Sequence, residues 1–322
     1  MVKFTRPGFH KRSLAALASF IGISSASMVS NSSANNPIPL ILDTDIGDDI
    51  DDTWALLMLL RSKAIDTKLI TTDFGNTRYR TRLLAKILHS IGAGTIPVGM
   101  GLDATDEAGN QSEWLGDYQL EEYPGQIYED GIQALIDTIK QSPEPVTLLC
   151  IGPVMNIAEA LRRDPSIANN ARFVGMLGSI RTGYEGEAEP AKEWNVKVDP
   201  KSLQTCGLVQ LKGDTYQKVF RSRDAWMKVL MDNYRMWLPK VTWLDPKPDF
   251  RLMSSTLFDT VAVHLAHSEE FLVMEDLPLR VTDDGYTVID EKNGRTVRCA
   301  TGWKNQSTFE DKLIEIMTSE FS

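Results

Sequence analysis

The stretch "LILDTDIGDDIDDTWALLMLL", residues 40–60, most constrains how this chain folds, because six aspartates fall within ten positions between two apolar runs. The first run reads as a buried strand, and the second has apolar residues at helical spacing. Carboxylates this close repel one another and raise one another's pKa. A hard divalent cation such as Ca²⁺, which takes about six to eight oxygen ligands, resolves the conflict. We expect a metal site here rather than a solvated acidic loop that favours the start of the helix.

Predicted strands and helices alternate along the chain. The strands are 38–43, 68–72, 96–98, 146–151 and 172–177, and the helices are 51–62, 77–91, 128–141, 156–163, 223–237 and 256–266. Alternation predicts an α/β fold, a single domain whose mostly parallel central sheet is flanked by helices. A small antiparallel C-terminal extension pairs 279–282 with 286–289, and a strand at 296–299 precedes a helix that opens on a capping box of Ser307 and Glu310.

The first 34 residues differ from the rest of the chain. They carry four basic residues and no acidic one, followed by an apolar run over 14–23. This pattern predicts a cleaved signal peptide at 1–34, a catalytic domain at 35–322, and a secreted or periplasmic protein. Without the signal, 30 basic residues (34 minus 4) face 44 acidic ones, a balance of −14 that argues against nucleic-acid and membrane partners. Three cysteines, at 150, 206 and 299, lack metal-ligand spacing and are expected to be buried thiols. A single disulfide with one thiol left over is the alternative.

Five segments, in order, resemble the inosine-uridine-preferring nucleoside hydrolases. They are "LILDTDIGDDIDD", "LITTDFGN", "VTLLCIGPVMNIAEAL", "KEWNVKVDP" and "LFDTVAV". The resemblance implies the nucleoside hydrolase fold and hydrolysis of the N-glycosidic bond of a ribonucleoside or related N-riboside. It also implies one Ca²⁺ that holds two ribose hydroxyls and the attacking water. Its partners would be a small-molecule riboside and, as in relatives, a second copy or more in a dimer or tetramer.

The same resemblance implies a role for individual residues. The metal ligands would be Asp45, Asp52, Asp259 and the carbonyl of Ile151. The sugar ligands would be Asp51, Asn76, Glu193 and Asn195. Asp45 would also accept a proton from the water, since coordination makes that water more acidic. Asp43 would orient the loop without touching the metal.

Two features depart from the family pattern. Two extra residues separate Asp45 from the helix; alignment on the helix makes Asp51 the sugar ligand, while Asp49 stays an alternative. The family's active-site histidine, which protonates a leaving purine, is replaced by Phe258, which can stack on a base but cannot donate a proton. The histidines at 89, 264 and 267 are expected to have core or surface roles, so no substitute acid is evident.

Aromatic residues and two other functional readings complete the expectations. Trp194 is expected in the core, and aromatics in the 102–126 loop form either a lid or packing. A phosphatase of the haloacid dehalogenase type would use Asp43 as nucleophile with Mg²⁺, but only Lys212 and Asp214 resemble its later motif. A riboside-binding protein or inactive relative is the other alternative, because of the phenylalanine at 258.

Overall fold

A six-stranded sheet forms the centre of the computed structural model, which describes residues 36–181, 183, 188–198 and 209–319. Its strands are β1 (Ile38–Thr44), β2 (Ile65–Thr72), β3 (Val98–Met100), β4 (Ile127–Tyr128), β5 (Val146–Cys150) and β6 (Ala171–Gly175). All neighbouring pairs are parallel, in the order β4-β3-β2-β1-β5-β6. The chain therefore builds outward from β1 on one side and returns at β5 on the other, which places a topological switch point between these two strands.

Helices cover both faces of the sheet, as the alternating pattern predicts. In chain order they are α1 (Asp51–Arg61), α2 (Thr77–Ser90), α3 (Ser112–Leu115), α4 (Gly131–Gln141), α5 (Met155–Arg163), α6 (Trp194–Val198), α7 (Gly213–Phe220), α8 (Ala225–Trp237), α9 (Phe258–His267) and α10 (Gln306–Thr318). Short 3₁₀ turns lie at Leu120–Glu122 and Pro165–Asn169. The strand expected at 96–98 begins two residues later, and the helix expected at 128–141 begins at Gly131. The sequence did not predict β4, α3, α6 or α7.

Alternation along β1 divides the core into two layers. Leu40 and Leu42 face a large cluster that includes Trp54 of α1, and Ile41 faces a second cluster that includes Leu135 of α4. All three β1 side chains are fully buried. A strand covered on both faces needs apolar residues at successive positions, which explains why the run before the aspartates does not alternate with polar residues.

An antiparallel sheet near the C-terminus has the order β8-β7-β9, with β7 at Leu272–Val281, β8 at Thr287–Ile289 and β9 at Arg295–Trp303. The predicted pairing is confirmed, since Leu279 lies opposite Ile289. The predicted capping box is wrong: the Asn305 side chain accepts a hydrogen bond from the Thr308 amide at 3.2 Å and starts α10 two residues earlier. No helix within the described ranges is long and apolar enough to cross a membrane.

Candidate active site

The carboxyl ends of β1 and β5 form the crevice that holds the aspartates. Asp43 is in register with Thr71 of β2 and Cys150 of β5, so the next residues leave the sheet between those two strands. In open parallel sheets, ligands bind outside the carboxyl ends of the strands at such a switch point. The loop from Asp45 to Ile50 then crosses this edge and enters α1.

Three carboxylates converge at the start of α1. One oxygen from each of Asp51, Asp52 and Asp259 lies within 4.8 Å of the others, and all three residues are buried. Asp52 also accepts a hydrogen bond from the Thr44 hydroxyl at 2.5 Å. Burial raises the pKa of Asp51 and Asp52 well above the usual range, and the neighbouring carboxylates add to the shift.

This group fits a hard divalent cation. Its donors are all carboxylate oxygens, which Ca²⁺ and Mg²⁺ prefer, and their spacing allows one ion to contact all three. A buried group of like charges is unfavourable unless protons or a cation neutralise it. Two of the predicted metal ligands, Asp52 and Asp259, therefore lie together, and Asp51, predicted as a sugar ligand, lies with them.

Asp45 lies on the β5 side of the crevice and is not part of the three-carboxylate group. A Cβ at Gly152 would lie 2.8 Å from the Asp45 amide nitrogen and 3.2 Å from its Oδ1, so only glycine permits this approach. Burial raises the pKa of Asp45 to about 6, although the positive charge of Arg80 and a hydrogen bond from the Trp194 indole favour the carboxylate. Asp45 thus sits next to the Ile151–Gly152 segment, where its carboxylate is held in place.

The segment that starts α6 brings Glu193 and Asn195 to the same edge. The Glu193 carboxylate accepts hydrogen bonds from the amides of Asn195 at 3.0 Å and Val196 at 3.2 Å, as a helix cap does. Burial raises the pKa of Glu193 to about 7. The Asn195 side-chain amide donates to the Ile151 carbonyl at 3.0 Å, so the predicted metal-binding carbonyl already accepts one hydrogen bond.

Trp194 is not a core residue, and that prediction is wrong. The chain turns into α6 here instead of continuing as an extended segment, so Trp194 points outward and is 47% exposed. Its ring meets Phe74 edge-on at 6.2 Å, and Phe74 has a positive φ of 53°. The two rings form an aromatic wall next to Asp45.

Asn76 begins α2 at the end of the second strand's loop. Its side-chain oxygen accepts a hydrogen bond from the Tyr79 amide at 2.8 Å, and its nitrogen donates to the Asp106 carbonyl at 2.9 Å. The predicted ribose ligand is therefore at the correct sheet edge, with its polar atoms engaged by the protein. Asp49, the alternative sugar ligand, is half-buried outside the three-carboxylate group, and its Oδ1 accepts from the Ile50 amide at 2.6 Å.

The histidines that the structure describes lie elsewhere, as predicted. His264 contacts the rings of Phe271 and Phe309, and its Nε2 donates to the Glu270 carbonyl at 2.8 Å. Burial lowers the pKa of His267 to about 4, and exposed His89 lies 3.1 Å from the Tyr118 hydroxyl. Phe258 is the first residue of α9, directly before Asp259.

The aromatic part of the 102–126 segment, from Trp114 to Tyr123, is packed against the protein rather than free as a lid. Tyr118 and Tyr123 are buried, and the Tyr123 hydroxyl donates to the Ile96 carbonyl at 2.7 Å. Trp114 contacts the ammonium of Lys86 at 4.6 Å. Of the acidic and aromatic residues just before Glu193 in the sequence, those at 184, 185 and 187 lie outside the described residues.

Two of the three cysteines, Cys150 and Cys299, are buried free thiols, as predicted. Cys206 lies outside the described residues.

Asp73 is a site residue that the sequence reading missed. Asp43 accepts hydrogen bonds from Thr71 at 2.5 Å and Asn156 at 2.7 Å, which ties β1 to β2 and α5. Asp73 lies against Asp43, and burial raises the pKa of Asp73 well above its usual range and that of Asp43 to about 6. The Asp73 Oδ1 accepts a hydrogen bond from the Phe74 amide at 2.7 Å, so Asp73 fixes the start of the turn beside Asp43 at the base of the crevice. The available signal was that both aspartates end neighbouring parallel strands.

The phosphatase alternative does not agree with this geometry. Asp43 is fully buried beneath the crevice, whereas Lys212 and Asp214 are exposed at the start of α7. A nucleophile must reach its substrate, and Asp43 instead holds neighbouring strands together.

A parallel sheet with a carboxylate-lined crevice at its switch point defines an α/β protein whose site suits a small polar ligand and a cation. The profile of the inosine-uridine preferring nucleoside hydrolases matches residues 40–311, and the chain belongs to this family. The expected fold class and family are thereby confirmed.

Sequence and structural relatives agree with this assignment. The chain is 31% identical over 183 residues to "probable uridine nucleosidase 2" of Arabidopsis thaliana, covering 52% of this chain and 56% of that protein. It is 31% identical over 177 residues to a "non-specific ribonucleoside hydrolase" of Klebsiella pneumoniae, covering 51% and 56%. The match thus spans about half the length of these relatives.

Solved nucleoside hydrolases share the fold over most of the chain. A plant enzyme superimposes with a TM-score of 0.71 at 19% identity, covering 88% of this chain and 100% of that one. The inosine-uridine preferring enzyme of Bacillus anthracis gives a TM-score of 0.67 at 19% identity, covering 87% and 99%.

Proposed function

We propose that this protein hydrolyses the N-glycosidic bond of a ribonucleoside or related N-riboside, releasing the base and ribose, with one Ca²⁺ bound by the aspartate cluster. The observation that carries the proposal is the buried group of Asp51, Asp52 and Asp259 at the switch point of the sheet. The family assignment supports the reaction type, and the all-carboxylate donor set supports a hard cation.

Asp52 and Asp259 would hold the ion, together with the Ile151 carbonyl and Asp45. When bound, Ca²⁺ supplies a positive charge that polarises a water and ribose hydroxyls. Asp51 would accept a hydrogen bond from a ribose hydroxyl. The Asn195 amide and the Glu193 carboxylate would contact other sugar hydroxyls, and Asn76 would exchange its bond to the Asp106 carbonyl for one to the sugar.

Asp45 would also take the proton from the attacking water, because a water bound to the same ion would lie next to its carboxylate. The Trp194 hydrogen bond and the charge of Arg80 favour its carboxylate form, which a general base needs. The surrounding carboxylates would stabilise the positive charge that develops on the sugar ring. Phe258 would contact the base without protonating it, which favours leaving groups that depart unprotonated.

The experiment is ribose release by the mature protein over purine, pyrimidine and nicotinamide ribosides, with Ca²⁺ and with a chelator. Release that the chelator abolishes is the expected result. The absence of a proton donor at Phe258 favours one second candidate, a riboside-binding protein. That candidate predicts Ca²⁺-dependent thermal stabilisation by a riboside without any ribose release. We further propose that residues 1–34 are a cleaved signal and that 35–322 form the exported domain. Export of the mature chain would support this proposal, whichever result the ribose assay gives.

A further inference from the structure

The loop from Asp45 to Asp49, called the aspartate loop below, is held through every one of its backbone carbonyls. Each carbonyl accepts a hydrogen bond from a side chain outside the loop. The donors are Arg80 to the Asp45 and Ile46 carbonyls, the Tyr79 hydroxyl to Gly47 at 3.2 Å, Trp237 and Asn110 to Asp48 at 2.7 and 3.1 Å, and Gln111 to Asp49 at 3.0 Å. They come from α2, α8 and the 102–126 segment, so the packed segment fastens the loop instead of covering the crevice.

Arg80 makes more of these contacts than any other donor to the loop. Its side chain is 2% exposed, and its Nη1 donates to the carbonyls of Asp45 and Ile46, the latter at 3.0 Å. Its Nη2 pairs with Asp48 at 2.7 Å, and its Nε donates to the Phe74 carbonyl at 2.6 Å. One guanidinium thus joins the aspartate loop to the turn that leads into Asn76.

A buried guanidinium is costly unless its donors are satisfied. Here the planar fork meets three carbonyls and one carboxylate at once, which the single ammonium of lysine cannot reproduce. Three of these four acceptors belong to the loop that carries Asp45, namely two backbone carbonyls and the Asp48 carboxylate, so the interaction specifies where that loop lies.

We propose that Arg80 is a positioning residue of the reaction. Its fork holds the carbonyls of the aspartate loop and the Phe74 turn in one arrangement, so that the cation ligands and Asn76 face the same ligand. Tyr79 assists at the Gly47 carbonyl. This inference rests on the proposed Ca²⁺ site. Arg80 would touch neither the ion nor the sugar, yet it would raise the affinity for both.

Arg61 offers a matched control. Its side chain is 1% exposed, donates to the carbonyls of Met317 at 2.8 Å and Ser319 at 2.6 Å, and pairs with Asp224 at 2.5 Å. It ends α1, so ten residues at about 1.5 Å each place it roughly 15 Å along the helix from Asp51. Substitution of Arg61 by lysine removes a similar set of hydrogen bonds far from the cluster.

The experiment compares Arg80→Lys with Arg61→Lys by calorimetric titration with Ca²⁺ alone and by thermal unfolding in EDTA. Both variants keep the charge and are expected to unfold at lower temperature. Only Arg80→Lys is expected to raise the Kd for Ca²⁺, by at least about tenfold, and to raise KM for a riboside. An unchanged Kd in Arg80→Lys, or an equal rise in both variants, would overturn the proposal.

Tyr79→Phe keeps the proposal testable if Arg80→Lys does not fold, because it removes one hydrogen bond to the loop without changing charge. A rise of about threefold in the Kd for Ca²⁺ is expected, and a wild-type Kd would refute the positioning role. Wild-type protein that binds no Ca²⁺ would overturn the inference as well as the proposed metal site. Wild-type protein that binds Ca²⁺ but releases no ribose would overturn only the proposed function, and the Kd comparison would still decide the role of Arg80.

Discussion

Replacing Asp52 with asparagine should separate two effects of the carboxylate cluster, the loss of folding stability from charge repulsion and the binding of Ca²⁺. Two of the three carboxylate pairs in the group include Asp52, at separations up to 4.8 Å. Two unit charges at that distance repel by about 3.5 kcal/mol at an effective dielectric constant of about 20. Full ionisation would therefore cost about 7 kcal/mol or more, a cost that proton uptake by the cluster and the burial of an amide reduce. We expect Asp52→Asn to stabilise the metal-free protein by about 2 kcal/mol, or about 4 °C in Tm.

The pH dependence of folding stability in the metal-free protein tests the same charge repulsion. Because burial raises the folded-state pKa of Asp52, its contribution to stability is present below about pH 4 and is lost as pH rises through that folded-state pKa. Asp45 and Glu193, whose pKa values are raised to about 6 and about 7, extend the window to neutral pH. The Tm of wild-type protein in EDTA should thus fall between pH 4 and 7, less steeply in Asp52→Asn.

Differential scanning calorimetry in EDTA and in Ca²⁺, across this pH range, measures both quantities. Ca²⁺ should raise the Tm of the wild-type protein at pH 7 and have little effect on Asp52→Asn. The Thr44 hydroxyl can still donate to the amide oxygen, so loss of that bond does not confuse the result. The reasoning is refuted if Asp52→Asn is less stable than wild type in EDTA, or if Ca²⁺ stabilises both proteins equally.

Three further substitutions test individual roles. Asp45→Asn should lower kcat by at least about 10²-fold, because a general base is lost, while Tm stays within a few degrees; retained turnover would exclude Asp45 as the base. Trp194→Phe keeps the ring beside Phe74 but removes the N–H donor, so the acid limb of the kcat profile should move to higher pH, and an unmoved profile would contradict this role. Phe258→His should raise purine riboside turnover about tenfold over wild type without helping nicotinamide riboside, and equal changes for both substrates would disprove the missing-acid argument.

Much of the fold was accessible from the sequence because apolar periodicity is a local signal. The unbroken apolar run of β1 and the helical spacing after Asp52 predicted both elements and the crevice between them. The site edge followed from topology, since carboxyl ends of parallel strands meet at one edge. The boundary of α10 was missed because asparagine two residues upstream is an equally strong cap.

Other parts of the site depend on contacts that no local pattern reveals. Arg80 shares the buried face of α2 with Leu83 and Leu84, three and four residues further on, but helical spacing does not reveal that its guanidinium binds the aspartate loop. Trp194 faces outward because the Glu193 carboxylate starts a helix at a segment that reads as extended. The sequence therefore reveals neither the tertiary partner of Arg80 nor the start of a helix at Glu193.

The central claim is that the aspartate cluster binds Ca²⁺ in order to cleave a riboside. The most direct measurement is ribose release by metal-stripped protein as Ca²⁺ is added back, with Tm followed in the same titration. We predict no release without Ca²⁺, and turnover and Tm that rise together with a single apparent Kd. Full turnover in excess chelator, or a rise in Tm with no ribose released from any riboside, would contradict the account.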